Sequence, residues 1–159
     1  MRYPESLRTE LLALLDGGQA HANTDRIISD IPFSSIMQKP SESFHSIWEL
    51  IEHLRFTQSD ILEFILRPDY VRKTWPDDYW PDKKLIPDGN MWQESVAGFR
   101  SDLEAIRGLV LAGDADFFTP IPHCKHEKYT LFRQILLVAD HNAHHLGQVI
   151  CLRRMLNIW

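Results

Sequence analysis

Two histidines near the end of the chain, His141 and His145, have the spacing of paired metal ligands on a helix. Four positions apart, their side chains differ by only about 40° around the helix axis, so both can reach one ion. Val138 and Val149 extend the same face and are expected to be buried, which predicts that both imidazoles point into the core. Buried imidazoles need partners for their ring nitrogens, and a divalent metal ion is such a partner. The pair therefore predicts a metal site.

A third ligand must come from another segment of the chain, and His53 is the best candidate. Leu50 precedes it by three residues, which places His53 beside the apolar stripe of another predicted helix. A histidine at the boundary of the core, satisfied without a metal, is the competing interpretation. Three imidazoles around a divalent ion leave a coordination position for water or a substrate atom, as in catalytic zinc sites.

Two polar neighbours of these histidines could assist the ion. Glu49 precedes His53 by four residues and is the one candidate for a catalytic side chain, as a base near metal-bound water or as an anchor for the ring. A solvated charge is the favoured interpretation of Glu49. His144 is rotated by about 100° from His145, so it is predicted to flank the pocket.

Other polar residues are predicted to lie outside the ligand set. Asp140 and Asn142 are rotated off the direction of His141, and orienting an imidazole from another helix is the less favoured alternative for them. His21 would reach the site only if the face of the first helix continued past two glycines. A string in a proline-bounded loop resembles metal ligands but is predicted to be loop surface: His123, Cys124 and His126.

The segments that must position the histidines show helical periodicity in four places. In the first of them Leu7, Leu11, Leu14 and Leu15 are predicted to face the core. Two glycines are expected to kink or interrupt this helix before it continues. The predicted spans are Tyr3 to about Ile28, a serine cap at Ser41 to Ser43 or at Ser46 to about Leu66, Met91 to about Leu111, and a cap at Thr130 onward.

A long loop, residues 68–90, separates the second and third predicted helices. It contains four prolines, so regular helix is not expected there. Its aromatic residues Trp75, Tyr79 and Trp80 are predicted either to form an apolar wall over the metal or to seal the end of the bundle. The sequence therefore predicts an all-α four-helix bundle with a long crossover loop, as a single domain over residues 1–159.

Composition narrows the range of partners and locations. The formal net charge is -5 and the basic residues are scattered, which argues against a nucleic-acid partner. The chain has no apolar run of the ~20 residues that cross a bilayer and no export signal, so neither a membrane partner nor secretion is expected. The two cysteines, Cys124 and Cys151, form no CxxC pair, which fits a reducing cytoplasm.

Three stretches make the chain resemble the DinB-like superfamily, which also includes the YfiT-like proteins and the thiol-dependent transferases and isomerases. The resemblance implies three metal ligands, His53, His141 and His145, and a connection order other than simple up-and-down. It also suggests a homodimer. The stretches are Ile47-Trp-Glu-Leu-Ile-Glu-His-Leu54, Trp75-Pro-Asp-Asp-Tyr-Trp-Pro81 and Asp140-His-Asn-Ala-His-His-Leu-Gly-Gln148.

The expected function combines the ion with the resemblance. Zinc or nickel is expected, with manganese and iron as alternatives. Such an ion lowers the pKa of bound water toward ~7 or stabilises a thiolate. These properties predict a metal-dependent hydrolase or thiol S-transferase acting on a small-molecule substrate or a low-molecular-weight thiol. The competing hypothesis is a non-enzymatic, stress-related protein in which the metal is structural or the pocket only binds a small ligand.

Overall fold

The computed structural model describes residues 4–124 and 128–159. Within these ranges the chain forms α-helices and short 3₁₀ turns and contains no strand, so the predicted all-α fold class is confirmed. Four of the helices are long and one is a short helix that was not predicted as a separate element. They are α1 (Glu5–Asp16), α2 (Thr24–Ile28), α3 (Ile47–Leu66), α4 (Gly89–Leu111) and α5 (Leu131–Met155).

The long helices pack as a bundle in which neighbouring helices are not always consecutive in the chain. Helix α3 packs against α4 and α5, and α1 packs against the same two helices. The consecutive long helices α1 and α3 therefore lie at opposite corners, which differs from a simple up-and-down bundle. This order makes α3 and α5 direct neighbours, and these are the helices that carry the three predicted ligands.

The two ligand-bearing helices begin at residues that cap them. The Ser46 hydroxyl accepts a hydrogen bond from the Glu49 amide (3.2 Å), and the Glu49 carboxylate accepts one from the Ser46 amide (2.6 Å). This reciprocal pair is a capping box, which selects Ser46 from the predicted serine caps. Thr130 likewise accepts from the amide of Arg133 and begins α5 where the sequence predicts it.

The predicted length of the first helix is wrong, because the chain leaves the helical conformation at two glycines. Gly17 and Gly18 have φ values of 68° and 86°, in the left-handed region that suits residues without a Cβ. Helix α1 therefore ends at Asp16, and α2 is a separate short helix capped by Asn23. The predicted start at Tyr3 lies outside the described residues.

The core follows the predicted apolar stripes, with one exception on α1. Leu11 and Leu15 are buried, but Leu14 is 50% exposed, so its predicted inward orientation is wrong. Leu14 lies to one side of the buried face, which packs mainly on α4 and α5. None of the described helices has the length and apolarity of a membrane-spanning segment. The apolar stripe of α4 is entirely buried: Val96, Phe99, Leu103, Ile106 and Val110.

The crossover loop between α3 and α4 folds back onto α3. Its 3₁₀ turn, Asp77–Tyr79, contacts α3 directly. The turn brings the backbone of Tyr79 and the indole of Trp80 against His53. The loop therefore supplies one wall of the histidine site.

Candidate metal centre

The structure brings His53 of α3 together with His141 and His145 of α5. One ring nitrogen from each histidine can be chosen so that all three lie within 4.8 Å of one another. The Nε2 atoms of His53 and His141 are 3.0 Å apart. His53 is 2% exposed and the other two rings are partly buried, so the cluster lies at the edge of the core.

The crossover loop fixes the ring of His53. Its Nδ1 lies 2.8 Å from the carbonyl oxygen of Tyr79. A carbonyl can only accept, so Nδ1 carries the proton and Nε2 presents its lone pair toward the other histidines. The indole of Trp80 stacks on the same ring, with centroids 4.0 Å apart and planes 1° apart. The tautomer and the orientation of His53 are thus both set from outside the cluster, as is usual for metal-bound histidines.

Gln148 has the corresponding role for His145. The His145 Nδ1 atom lies 2.9 Å from the Gln148 side-chain oxygen, to which it donates. The Gln148 amide nitrogen donates in turn to Nε2 of His144, at 3.2 Å. Nε2 of His145 is therefore left free to bind an ion, while His144 is exposed and flanks the site as predicted.

The contact between His53 and His141 tests whether a metal ion fits. If both Nε2 atoms are unprotonated, their lone pairs repel each other at 3.0 Å. The repulsion is relieved if Nε2 of His141 carries a proton and donates it to His53, or if a cation lies between the two rings. Tetrahedral coordination with metal–nitrogen distances of about 2.0–2.1 Å separates ligand nitrogens by about 3.3–3.4 Å. That separation lies within the range of the cluster, whose nitrogens are all within 4.8 Å of one another. The donor set and its geometry therefore fit a divalent ion.

The environment also favours the neutral, ligating form of each imidazole. Burial, followed by repulsion from the neighbouring His145, His53 and His144, lowers the pKa of His141 to about 3. Burial lowers the pKa of His145 to about 4, against the opposing effect of its hydrogen bond to Gln148. The pKa of His53 is also lowered by burial, and its hydrogen bond to Tyr79 opposes the shift. At neutral pH all three rings are uncharged and can accept a metal ion.

The structure places Glu49 in contacts away from the three ligand nitrogens. Its carboxylate caps α3 through the Ser46 amide and pairs with the ammonium of Lys39 at 2.7 Å. His45, a residue not singled out from the sequence, lies 3.9 Å from the same carboxylate and stacks on Trp80. A catalytic role for Glu49 stays a prediction.

The remaining histidine candidates lie outside the cluster. His21 is exposed in the loop after α1, where Nδ1 donates to the carbonyl of Ala22. His123 donates from Nε2 to the carbonyl of Phe64 at 2.6 Å. His126 lies outside the described residues. None of these positions brings a fourth imidazole into the group of three that the described residues form.

The two other polar residues considered from the sequence lie on different sides of α5. Asp140 is exposed, as its rotation away from His141 predicts. Asn142 is buried and donates to the side-chain oxygen of Gln58 (2.9 Å). The amide nitrogen of Gln58 donates in turn to the carbonyl of Phe99. Asn142 therefore links α5 to α3 and α4, and its alternative role of orienting an imidazole is not what the structure shows.

Two groups that hold the ligands were missed in the sequence. Gln148 follows His145 by three residues, so helical spacing carried a signal for that contact. The carbonyl of Tyr79 carried none, because every residue has a backbone carbonyl and the loop conformation decides which one meets His53. Trp80 stacks on His53 and Trp75 meets its edge at 6.2 Å, so the loop aromatics lie against the site.

Comparison with known proteins agrees with this geometry. A family model described as the DinB superfamily matches residues 7–149, which is nearly the whole chain and includes all three histidines. Comparisons with curated proteins and with solved structures gave no significant match.

Proposed function

The chain belongs to the DinB superfamily, and from that premise we propose that His53, His141 and His145 hold a catalytic divalent ion, zinc or nickel, in a thiol S-transferase. The observation that carries the proposal is the convergence of three neutral imidazoles, two of which are oriented by hydrogen bonds that they donate to the Tyr79 carbonyl and the Gln148 side chain. When bound, the ion would supply Lewis acidity to a small thiol or to water.

The carboxylates of α3 favour thiol transfer over hydrolysis. Hydrolysis benefits from a general base near the nucleophile. Glu49 is occupied by Lys39 and the helix cap, and Glu52 is buried against Arg55 and Ser95. A thiol, whose pKa is about 8.5, loses its proton more readily than water and depends less on such a base. Metal-dependent hydrolysis of a small molecule is the second candidate.

A cavity beside the histidines offers space for an apolar electrophile. It has a volume of about 600 Å³, within the range of small-molecule sites. Gln148 and His144 form the side nearest the ion, because Gln148 contacts both His144 and His145. Most of its other walls are apolar: Phe44, Leu50, Leu152 and Met155.

Cobalt-substituted protein tests this proposal. Added 2-mercaptoethanol should change the visible absorption spectrum, because a thiol would enter an open coordination position. The metal-loaded protein should also accelerate transfer of this thiol to an activated aryl halide, with a new S–C bond, release of halide and loss of the thiol proton to solvent. His141→Ala should abolish both effects, and His21→Ala, which removes an exposed histidine outside the cluster and the cavity, serves as the control.

The alternative is a non-enzymatic protein in which the ion only ties α3 to α5. In that case the cobalt spectrum should not respond to the thiol, and chelation should collapse the thermal stability. Acceleration of ester hydrolysis without thiol transfer would instead support the hydrolase. The cytoplasmic location and the homodimer stay predictions beside this proposal.

A further inference from the structure

A second cavity opens along the α3–α5 interface, beyond the histidines. Its volume is about 390 Å³, which suits a small molecule. Asp60 lines it and follows His53 by seven residues on α3, so the cavity begins about 10 Å along the helix from the metal centre. Tyr79 belongs to both places, because its carbonyl holds His53 while its hydroxyl reaches Asp60.

The cavity carries two guanidinium groups that lack acidic partners. Within residues 4–124 and 128–159, no carboxylate lies at ion-pairing distance from Arg72 or Arg133. The guanidinium carbon of Arg133 lies over the ring of Tyr129, 4.8 Å from the ring centroid. By contrast, a cavity of about 780 Å³ between α1, α2 and α4 contains arginines that are already paired, Arg100 with Asp25 and Arg107 with Asp16.

Among the described residues, one carboxylate lines the second cavity, and it is hydrogen-bonded to hydroxyl groups. Asp60 is 7% exposed and accepts hydrogen bonds from Tyr70 at 2.9 Å and from Tyr79 at 2.7 Å. Burial, followed by these bonds to Asp60, raises the pKa of Tyr70 to about 12, and the pKa of Tyr79 is raised for the same reasons. Both tyrosines keep their protons, so the described lining residues, with one carboxylate and two guanidiniums, carry an excess positive charge.

Apart from Gln134 and Cys124, the rest of the described lining is apolar or aromatic. Ile61, Phe64 and Leu137 contribute hydrocarbon surface. The ring of Phe64 packs edge-on against Tyr70 and Tyr129, with centroids 5.3 Å and 5.7 Å away. Apolar walls with a few placed polar groups are the usual composition of a small-molecule site. A ligand that matches this lining has an apolar body and an anionic group.

We propose that this cavity binds a small organic acid, with its carboxylate on Arg72 and Arg133 and its body against Phe64 and Leu137. Guanidinium groups bind carboxylates by charge-assisted hydrogen bonds, and the apolar walls select against inorganic anions. That the acid forms part of a substrate of the metal centre rests on the proposed function. The binding site itself does not.

Benzoate and its neutral analogue benzamide test the proposal on the metal-loaded protein. Benzoate should bind saturably in a calorimetric or NMR titration, and benzamide should bind at least about tenfold more weakly. Arg133→Gln should weaken benzoate by a similar factor, whereas Arg133→Lys should retain part of the affinity. Arg72→Gln, at an exposed position, provides a second variant if Arg133→Gln folds poorly. Arg100→Gln is the matched control and should change nothing.

A metal-free variant, His141→Ala, separates this site from the ion. Benzoate should still bind it, because the carboxylate is held about 10 Å from the histidines. Loss of binding together with the metal would overturn the proposal, since the acid would then be a metal ligand. Equal binding of benzoate and benzamide, no saturable binding, or no effect of both arginine variants would also overturn it. If the parent protein bound benzoate but took up no metal ion, only the proposed function would be contradicted.

Discussion

Around Asp60 an acid meets two hydroxyl donors, whereas around His53 three bases meet one another. Both clusters lie on the α3–α5 interface, and Tyr79 touches both. The Asp60 cluster is complete as it stands, because each carboxylate oxygen accepts a hydrogen bond. The histidine cluster turns ring nitrogens toward a common point with no acid among them, so a cation or a shared proton must complete it. Hydrogen bonds within the protein therefore satisfy the polar atoms of the Asp60 cluster, but they do not satisfy those of the histidine cluster.

Removing one of the three histidines should have the largest effect. His141→Ala should weaken zinc binding more than the 10–100-fold typical of groups that only orient a ligand. The reason is the loss of one of three nitrogens that converge within 4.8 Å. Competitive titration with a chromophoric chelator measures the change. His144→Ala, one position from His145 and outside the group of three, should bind zinc nearly as well as the parent. An equal loss of zinc affinity in both variants would contradict a metal centre formed by these three histidines.

Acid should destabilise the metal-free protein through the histidine cluster. The native pKa of His141 is about 3, whereas the unfolded chain takes up a proton near the ordinary value of 6.5. The contribution of neutral His141 is therefore complete above pH 6.5 and is lost as the pH falls toward 3. The loss of folding free energy between pH 6.5 and 5 amounts to about 1–2 kcal/mol, with allowance for partial exposure.

Urea unfolding of chelator-treated protein at pH 7 and pH 5 measures this loss. His141→Gln should show a smaller decrease in the free energy of unfolding than the parent, since glutamine does not titrate. Parallel decreases in the two proteins would mean that His141 is not held neutral in the native state.

Gln148→Leu should weaken zinc binding by about tenfold, because His145 loses the acceptor for its Nδ1 proton. Leucine keeps a side chain of similar size, so the helix should be unaffected. The chelator competition used for the histidine variants applies here. Gln148→Glu should restore or strengthen binding, since a carboxylate accepts the same hydrogen bond. Unchanged affinity in the leucine variant would show that the ring needs no such support.

Tyr79→Phe should have the smallest effect and should act on the other cluster. It removes one hydrogen bond to Asp60 but leaves the backbone carbonyl that holds His53. We expect the free energy of unfolding to fall by about 1 kcal/mol with little change in zinc affinity. Thermal unfolding with and without zinc provides the measurement. A large loss of zinc affinity would show that the two clusters are coupled through Tyr79.

The helices that carry the ligands could be predicted because their signals are local. Ser46 and Thr130 cap α3 and α5 through contacts with residues three positions ahead. The inward direction of His141 and His145 followed from the apolar stripe on the same helix. The first helix was predicted less well, because nothing in its periodicity shows that Gly17 adopts a left-handed conformation that ends it.

The surroundings of the site depended on the loop between α3 and α4. Its aromatic content was evident, but which of its groups meets His53 depends on how the loop folds over α3. Two of the groups that matter are the carbonyl of Tyr79 and the face of Trp80, and neither has a pattern along the chain. The cavity around Asp60 escaped prediction for the same reason, since it joins α3, this loop and the start of α5.

X-ray absorption spectroscopy of zinc-loaded protein tests the central claim most directly, because it reports the atoms bound to the ion. One zinc per chain should be coordinated by three imidazole nitrogens at about 2.0–2.1 Å, together with one oxygen ligand from solvent. The His141→Ala protein should show fewer imidazoles at any zinc it retains. Oxygen-only coordination, or the same number of imidazoles in both proteins, would contradict a metal centre built from His53, His141 and His145.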